Sequence, residues 1–243
     1  MISIMHANNE TGVIQPLEEI CALARERGIL VHTDAVQSVG KIPINVGQMG
    51  VDLLSLSGHK MHAPKGVGAL FVRSGVKFVP MMTGGSQERR RRAGSENVPG
   101  VVGLGAAARL ALERLPEMGG RVALLRDRLE QGIKDRVPDV RTNGTAQHRL
   151  PHIANLAFAG MEGEAAVIAM DLEGIAVSSG SACSSGSLEP SHVLMGMGLR
   201  PEAVQGSLRF SLCYHNTEAE VDAALEVLTA VAGRLRGLAR HRS

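Results

Sequence analysis

Two stretches of the sequence decide the fold: ILVHTDAVQS at residues 29–38 and VDLLSLSGHK at residues 51–60. In both, an apolar run of strand length leads directly into polar side chains. Ile29–Thr33 and Val51–Ser55 are therefore predicted strands. Because open α/β sheets bind their ligands at the carboxyl ends of the strands, the polar residues that follow predict a ligand site at that edge.

The alternation of strands and helices continues on either side of these stretches. Ile2–His6 and Gly68–Val72 are further predicted strands. Pro16–Arg27 is a predicted helix, because proline suits the first helical position and Gly28 suits the C-terminal cap. Strands that alternate with helices predict an α/β sheet with parallel strands.

The second half of the sequence has longer helical patterns, at Val98–Arg114 and Arg121–Arg136. Pro116 and the pair Gly119–Gly120 are expected to break the chain between them, which predicts one domain over residues 1–116 and a second over 117–243. The remaining predicted elements are a strand at Ile153–Phe158, a helix at Glu164–Leu172, strands at Ile175–Ser178 and Ser207–Tyr214, and a last helix that begins with the capping-box pattern Thr217-Glu218-Ala219-Glu220.

The composition is that of an ordinary globular protein. With 243 residues, a net charge of +2, 44% hydrophobic and 21% charged residues, the chain is expected to form one or two domains and not to be mainly disordered. The near-neutral charge and the five aromatic residues argue against nucleic-acid binding, so Arg89–Arg92 is better explained by a phosphate or subunit contact or a solvated loop. Three cysteines, no secretory pattern and no membrane-length apolar run predict a cytoplasmic protein without a membrane partner.

Polar residues follow the first two strands of the predicted sheet. Asp34 and Gln37 come after one strand, where an acid can pair with a cationic ring nitrogen and an amide three residues on can reach another ring substituent. The alternative is that Asp34 only caps the next turn. The segment NNETG, at residues 8–12, is either a polar turn or part of the same chemistry.

Lys60 follows another predicted strand, beside Ser57 and His59. A lysine in such a place suits a Schiff-base site, because its amine can attack a carbonyl group. Ser57 and His59 can donate hydrogen bonds to a phosphate. The spacing of His59 and His62 would also allow two metal ligands, but no cysteine or carboxylate lies near them in the sequence, which disfavours zinc.

Two residues of the second half also suggest chemistry. Cys183 lies in the Gly/Ser-rich stretch SSGSACSSGS, which predicts an exposed, reactive thiol, whereas Cys21 lies beside Ile20 on a helix and is expected to be packed. Arg209 alternates with apolar neighbours in a predicted strand, so it should point away from the core and could bind a carboxylate with two hydrogen bonds. The alternative for Arg209 is a solvated strand arginine.

Taken together, the motifs resemble those of the cysteine desulfurases of the NifS/IscS type, which are pyridoxal 5′-phosphate (PLP) enzymes. The resemblance implies a fold-type-I transferase: a partial large α/β domain with a mixed, mostly parallel sheet, and a small α+β C-terminal domain. The motifs that carry it are NNETGVIQP, HTDAVQSVGKIPI, LLSLSGHKMHAPKGVGAL, QERRRRAGSENVPG, SSGSACSSGSLEPSHVL and LRFSL.

The resemblance also implies a role for each candidate residue. Lys60 would bind PLP covalently, and Cys183 would be the nucleophile that becomes a persulfide and also a shared ligand of an iron–sulfur cluster. The other implied contacts are Asp34 with the pyridine nitrogen, Gln37 with the ring oxygen, Ser57 and His59 with the phosphate, Ser95 with the phosphate in the partner subunit of a homodimer, Asn9 with cofactor or substrate, and Arg209 with the substrate carboxylate.

The implied reaction converts L-cysteine into L-alanine and passes the sulfur to an iron–sulfur scaffold or another acceptor protein. HAPKG and RAGSENVPG are closer to the nitrogen-fixation branch of the family than to the housekeeping branch. The family's first third has no counterpart here, so one alternative is a catalytically inactive fragment or a scaffold-binding remnant. Another alternative is a selenocysteine lyase or a different fold-type-I PLP enzyme.

Overall fold

The computed structural model describes residues 1–179 and 190–240. They divide into two compact units, the first comprising Met1–Ala7 and Gln15–Leu115 and the second comprising Asn8–Ile14 and the described residues from Pro116 onward. No helix in the described ranges is both long enough and apolar enough to cross a membrane.

The first unit contains a four-stranded sheet in which three neighbouring strands are parallel and the fourth is antiparallel. Its elements are β1 (Ile2–Met5), α1 (Leu17–Glu26), β2 (Val31–Asp34), α2 (Val46–Met49), β3 (Leu53–Ser57), β4 (Gly68–Val72), α3 (Gln87–Arg90) and α4 (Val98–Glu117). The strand order is β1-β2-β3-β4. The predicted α/β fold with a mixed, mostly parallel sheet is therefore confirmed.

The core of the first unit lies between α1 and one face of the sheet. Leu17, Cys21 and Ala24 recur along one side of α1 and are buried. They belong to the same cluster as Val31 of β2 and Leu54 of β3. Burying a Leu or Val side chain contributes roughly 1.5–3 kcal/mol, so this packing fixes which face of the sheet points inward. Residues that alternate with Val31 and Leu54 lie on the other face.

The second unit contains an antiparallel sheet covered by helices. Its elements are α5 (Ala123–Arg136), β5 (Val140–Thr142), β6 (Ile153–Phe158), α6 (Gly163–Leu172), β7 (Ser178–Ser179), α7 (His192–Gly196), α8 (Pro201–Gln205), β8 (Ser207–Ser211) and α9 (Glu218–Arg240). The strand order is β5-β6-β8-β7. Its core packs Leu156 and Phe158 of β6 and Leu208 of β8 against Met170 of α6 and Leu228 of α9.

The predicted interruption of the helical conformation at Pro116 and Gly119–Gly120 is wrong. The chain stays helical through Pro116, and α4 is joined to α5 by a π-helical turn at Met118–Val122. Met118 and Val122 are fully buried in the core of the second unit. Their burial outweighs the weak helix propensity of the two glycines between them, which was the basis of the prediction.

The strands of the second unit differ in length from the predictions. Among the residues that the structure describes, this strand is paired at Ser178–Ser179 instead of over Ile175–Ser178, and β8 ends at Ser211 instead of Tyr214. The early end of β8 has a local cause, since the backbone N–H of Cys213 donates to Asn216 Oδ1 and closes a turn.

The predicted capping box at the start of α9 is confirmed. The backbone N–H of Glu220 donates to Thr217 Oγ1 at 3.2 Å, and the backbone N–H of Thr217 donates to Glu220 Oε2 at 2.8 Å. The two bonds satisfy amide groups that lack partners at a helix start. The bond from the Thr217 N–H, together with a hydrogen bond from the Asn216 side chain, lowers the pKa of Glu220.

Candidate functional site

The first group of predicted site residues lies at the carboxyl ends of β2 and β3. Asp34 is the last residue of β2 and lies opposite Ser55 in the parallel register. Ser57, two residues further on, is the last residue of β3 and therefore shares a face with Ser55 and Asp34. The sheet thus brings Asp34 and Ser57 to one edge, on the face opposite the α1 core.

His59 and Lys60 follow β3 directly, in the 3-10 turn Gly58–Met61, and both side chains are exposed. Ser57 Oγ and His59 Nδ1 lie 2.7 Å apart, at hydrogen-bond distance. The side-chain amine of Lys60 makes no hydrogen bond or ion pair with residues in the described part of the chain. The end of β3 and the turn after it therefore present a hydroxyl, an imidazole and an amine at the sheet edge where β2 ends with Asp34.

Gly58 explains why this turn can form. A Cβ atom at this position would lie 3.0 Å from both Ala63 Cβ and the carbonyl oxygen of Val67. The backbone N–H of Gly58 donates to that same carbonyl at 2.9 Å. A side chain here would push the turn away from β4, so the glycine fixes where the residues after it lie.

Asp34 also caps the turn that follows it, which was the alternative role predicted for this residue. Its Oδ1 accepts a hydrogen bond from the backbone N–H of Val36 at 2.9 Å. This bond occupies one carboxylate oxygen, and the other oxygen can accept a hydrogen bond from a ligand. The two interpretations of Asp34 therefore do not exclude each other. Gln37 lies half-buried in the following turn.

Two histidines near this edge have polar partners that the sequence did not predict. His6 Nδ1 lies 2.9 Å from Ser38 Oγ, both groups are buried, and burial lowers the pKa of His6. His32 bridges three strands, with Nδ1 2.8 Å from Ser3 Oγ and Nε2 2.8 Å from Ser55 Oγ. Strand alternation alone could have placed His32 on the face opposite the core, but not its two partners.

The second group of predicted residues lies in the second unit. Arg209, on β8, donates from Nη1 to the backbone carbonyl of Asn9 at 2.9 Å. In the sheet, Arg209 is paired with Asn155 of β6. Both Asn9 and Arg209 are half-buried, so the structure brings together the two residues assigned to the substrate.

The segment that carries Asn9 is a tight polar turn. Asn8 Oδ1 accepts from the backbone N–H groups of Glu10 and Thr11, each at 2.9 Å, and from Thr11 Oγ1 at 3.1 Å. Gly12 ends the turn with φ of +76°, a conformation that favours glycine. The turn interpretation of NNETG is therefore correct for its local structure.

Glu10 is a site residue that the sequence did not reveal. Its carboxyl group is buried and accepts a hydrogen bond from Ser191 Oγ at 2.6 Å. Burial raises the pKa of Glu10, and the hydrogen bond from Ser191 and the charges of His192 and Arg209 act in the opposite direction. Ser191 and Arg209 are 181 and 199 residues away in the sequence, so local pattern gave no signal of these contacts.

Two predicted residues remain to be placed. Cys183, predicted as the nucleophile and as a metal ligand, lies outside the described residues. Ser95 is exposed and lies just before α4 in the first unit. Of the other cysteines, Cys21 is buried in the α1 core and burial raises the pKa of its thiol, which fits the prediction of a packed residue. Cys213 is half-buried.

No metal site is apparent in the ranges that the structure covers. Among residues 1–179 and 190–240, no three or more His, Cys, Asp or Glu side chains are grouped so that they could hold a metal ion. The alternative of a zinc site at His59 and His62 therefore has no third ligand there.

The chain is similar to known proteins over nearly its whole length. The family described as Aminotransferase class-V matches residues 1–224. A cysteine desulfurase of Gluconacetobacter diazotrophicus is 56% identical over 234 residues, which cover 96% of this chain and 58% of that protein. The cysteine desulfurase NifS of Azotobacter vinelandii is 48% identical over 241 residues, which cover 99% of this chain and 60% of that protein.

Solved structures give the same relationship. A NifS-like protein from Rickettsia africae superposes with a TM-score of 0.86 at 34% identity, over 94% of this chain and 61% of that one. Another NifS-like protein superposes with a TM-score of 0.87 at 37% identity, over 96% and 60%. The chain thus spans about three-fifths of the length of the relatives that it matches. With a family match that covers nearly the whole sequence, the chain belongs to the class-V aminotransferase family.

Proposed function

We propose that this chain carries the catalytic residues of a cysteine desulfurase, which uses PLP to move the sulfur of L-cysteine onto the thiol of Cys183 and leaves L-alanine. The observation that carries the proposal is the arrangement of Asp34, Ser57, His59 and Lys60 at the carboxyl ends of β2 and β3. The relatives named cysteine desulfurase support it.

The first group of residues fits PLP by the chemistry of its donors and acceptors. Asp34 offers an exposed carboxylate that can accept a hydrogen bond from a protonated pyridine nitrogen. The hydroxyl of Ser57 and the ring of His59, 2.7 Å apart, can both donate to a phosphate. Lys60, which has no partner in the described ranges, offers an amine for covalent attachment.

Once bound, PLP would supply an electron sink for the bonds around the α-carbon of an amino acid. The negative charge of Asp34 would keep the ring nitrogen protonated, and Gln37 would bind the ring oxygen. Lys60 Nζ would take a proton from the substrate and return it. In a homodimer, Ser95 would donate its hydroxyl to the phosphate in the partner subunit.

The second group would bind the amino acid itself. The guanidinium of Arg209 can bind a carboxylate with two parallel hydrogen bonds, and Asn9 lies directly beside it. The thiolate of Cys183 would attack the sulfur of L-cysteine, so that a sulfur–sulfur bond forms as the carbon–sulfur bond breaks. L-cysteine and the thiol of Cys183 give L-alanine and a persulfide, which balances without an added oxidant or reductant.

The persulfide would then pass its sulfur to an iron–sulfur scaffold or another acceptor protein in the cytoplasm. The same sulfur chemistry would allow Cys183 to serve as a shared ligand of a nascent iron–sulfur cluster. The motifs HAPKG and RAGSENVPG favour service to nitrogenase cluster assembly within this proposal.

Covalent attachment of the cofactor tests the proposal most directly. The chain is incubated with PLP, reduced with borohydride and digested, and the modified lysine is identified by mass spectrometry. We expect the label on Lys60 and its loss in Lys60→Ala. Lys65→Ala is the matched control, because Lys65 is an exposed lysine only five residues away, and it should leave the labelling unchanged. Labelling that persists in Lys60→Ala would refute the assignment.

A further inference from the structure

Glu10 is a buried carboxyl group to which the proposed reaction gives no role. It is 5% exposed and lies in the second unit. Three hydrogen bonds fix it: its N–H donates to Asn8 Oδ1 at 2.9 Å, its carbonyl accepts from Asn155 Nδ2 at 3.0 Å, and its carboxylate accepts from Ser191 Oγ at 2.6 Å. Both its backbone and its side chain are therefore held in one position.

The support for Glu10 continues into the sheet of the second unit. Asn155 is 1% exposed, and its Oδ1 accepts from Asn143 Nδ2 at 2.7 Å. Asn143 Nδ2 is also 2.9 Å from Ser207 Oγ. Burying an amide group in a core costs free energy unless the group is hydrogen-bonded. This series of hydrogen-bonded polar groups therefore favours a single position for the turn that carries Glu10.

The Glu10 carboxyl group interacts with residues of other elements. Arg209 of β8 and His192 of α7 both interact electrostatically with the carboxylate, and Ser191 donates to it. A negative charge this deeply buried requires such partners. Arg209 also donates to the carbonyl of Asn9, the residue just before Glu10. The turn thus holds the Arg209 guanidinium through the backbone carbonyl of Asn9. The side chain of the next residue, Glu10, carries the opposite charge.

We propose that Glu10 is a positioning residue for Arg209. Through its bond to Ser191 and its charge, Glu10 holds the Asn9 carbonyl and the Arg209 guanidinium in a fixed relative position. Arg209 therefore binds the carboxylate of an amino acid in one orientation. The identity of that amino acid, L-cysteine, rests on the proposed function, whereas the positioning rests on this chain's own geometry. Without Glu10, the Arg209 side chain is less ordered before substrate binds. Ordering it on binding costs free energy, so the affinity for the substrate falls.

Two substitutions separate the parts of this role. Glu10→Gln keeps the size of the side chain and an oxygen for Ser191 but removes the charge. Ser191→Ala removes the hydrogen bond and keeps the charge, and it also removes the hydroxyl oxygen that accepts from the Leu194 N–H at the start of α7. Glu130→Gln is the matched control, because Glu130 is also a buried, paired carboxylate of the second unit but is bonded to Lys134, Thr142 and Arg149 instead of the turn.

The first measurement needs neither cofactor nor turnover. Hydrogen exchange of the Arg209 guanidinium is followed by nitrogen NMR in the 243-residue chain, with the resonance assigned by its loss in Arg209→Lys. We expect Glu10→Gln to raise the exchange rate about tenfold, the equivalent of one net hydrogen bond to a charged group, and Glu130→Gln to leave it unchanged. Unchanged exchange in folded Glu10→Gln would overturn the proposal. Where Glu10→Gln does not fold, Ser191→Ala decides by the same readout.

The second measurement separates binding from chemistry. With L-cysteine, Glu10→Gln should raise KM about tenfold and change kcat by less than about twofold, because the lost interaction orients a group that binds substrate before and during reaction. A fall in kcat at unchanged KM would overturn the positioning role. Absence of turnover in the unsubstituted chain would count against the proposed function alone, and guanidinium exchange would still decide the role of Glu10.

Discussion

Arg209 Nη1 donates a hydrogen bond to the carbonyl of Asn9 at 2.9 Å, although the two residues are 200 positions apart in the sequence. The bond joins a strand of the antiparallel sheet to a turn near the start of the chain. It also holds one arm of the guanidinium against a neutral acceptor, which limits the directions in which the arginine can present its remaining donors.

Arg209→Lys should weaken substrate binding although the positive charge is kept. Lysine lacks the planar fork that binds a carboxylate with two parallel bonds, so we expect KM for L-cysteine to rise about tenfold or more. Steady-state kinetics measure this, and Arg141→Lys is the control, because Arg141 is an exposed arginine on β5 of the same sheet. An equal effect of both substitutions would show that the change is not specific to Arg209.

Substitutions of the three cysteines should have different effects on sulfide release. Cys183→Ser should reduce sulfide release from L-cysteine to background, because a hydroxyl cannot accept the sulfur as a thiolate does. Cys21→Ser and Cys213→Ser should retain activity, since Cys21 is packed in the α1 core and Cys213 closes a turn. Loss of activity in Cys21→Ser with the fold intact would contradict the assignment of the sulfur carrier.

Glu130 should make the stability of the chain depend on pH in acid. Burial alone would raise the pKa of Glu130, but hydrogen bonds from Lys134, Thr142 and Arg149 lower it to about 2, against 4.5 for an ordinary glutamate. Because the folded-state pKa is depressed, this contribution is fully present above about pH 4.5 and is lost as the pH falls toward 2. It amounts to about 3 kcal/mol.

Urea unfolding of the chain at pH 7, 4.5 and 3 measures that contribution. Glu130→Gln should show a smaller loss of unfolding free energy between pH 4.5 and 3 than the unsubstituted chain. Glu113→Gln is the control, because Glu113 pairs with Arg109 at an exposed helix position where such a pair contributes little. Parallel acid profiles for Glu130→Gln and the unsubstituted chain would contradict the prediction.

Thr217→Ala should destabilise the second unit by about 1 kcal/mol, because it removes the side-chain oxygen that accepts from the Glu220 amide. Thr217→Ser keeps the hydroxyl and should retain most of the stability. Thermal unfolding compares the three chains. A similar loss in both variants would show that the methyl group of the threonine, not the cap, carries the effect.

The sequence predicted best where the information is local. Asp34, Ser57 and Lys60 follow apolar runs of strand length, and the rule that polar residues collect at the carboxyl ends of parallel strands placed them correctly at one edge. The capping box at Thr217 has the same local character, since both of its bonds join residues three apart.

The sequence failed where burial or distant contacts decide. Pro116 and two glycines looked like a break, but the burial of Met118 and Val122 keeps the chain helical. Glu10 looked like one residue of a polar turn, since its partner Ser191 lies 181 positions away. A single sequence contains no local pattern that joins such residues, because the fold alone brings them together.

The turn at Asn8–Ile14 has a consequence for how the chain folds during synthesis. Asn155 and Arg209, which hold the turn, are made 145 and 200 residues after their partners Glu10 and Asn9. At the usual rate of translation, about 5–20 residues per second, Asn9 is added to the chain roughly 10–40 seconds before Arg209. Until Asn155 has been made the turn has neither of these partners, and until Arg209 has been made it lacks the second, so the early residues must remain available for late docking. A pause between β6 and β8 should prolong the time for which they are open to proteases or chaperones.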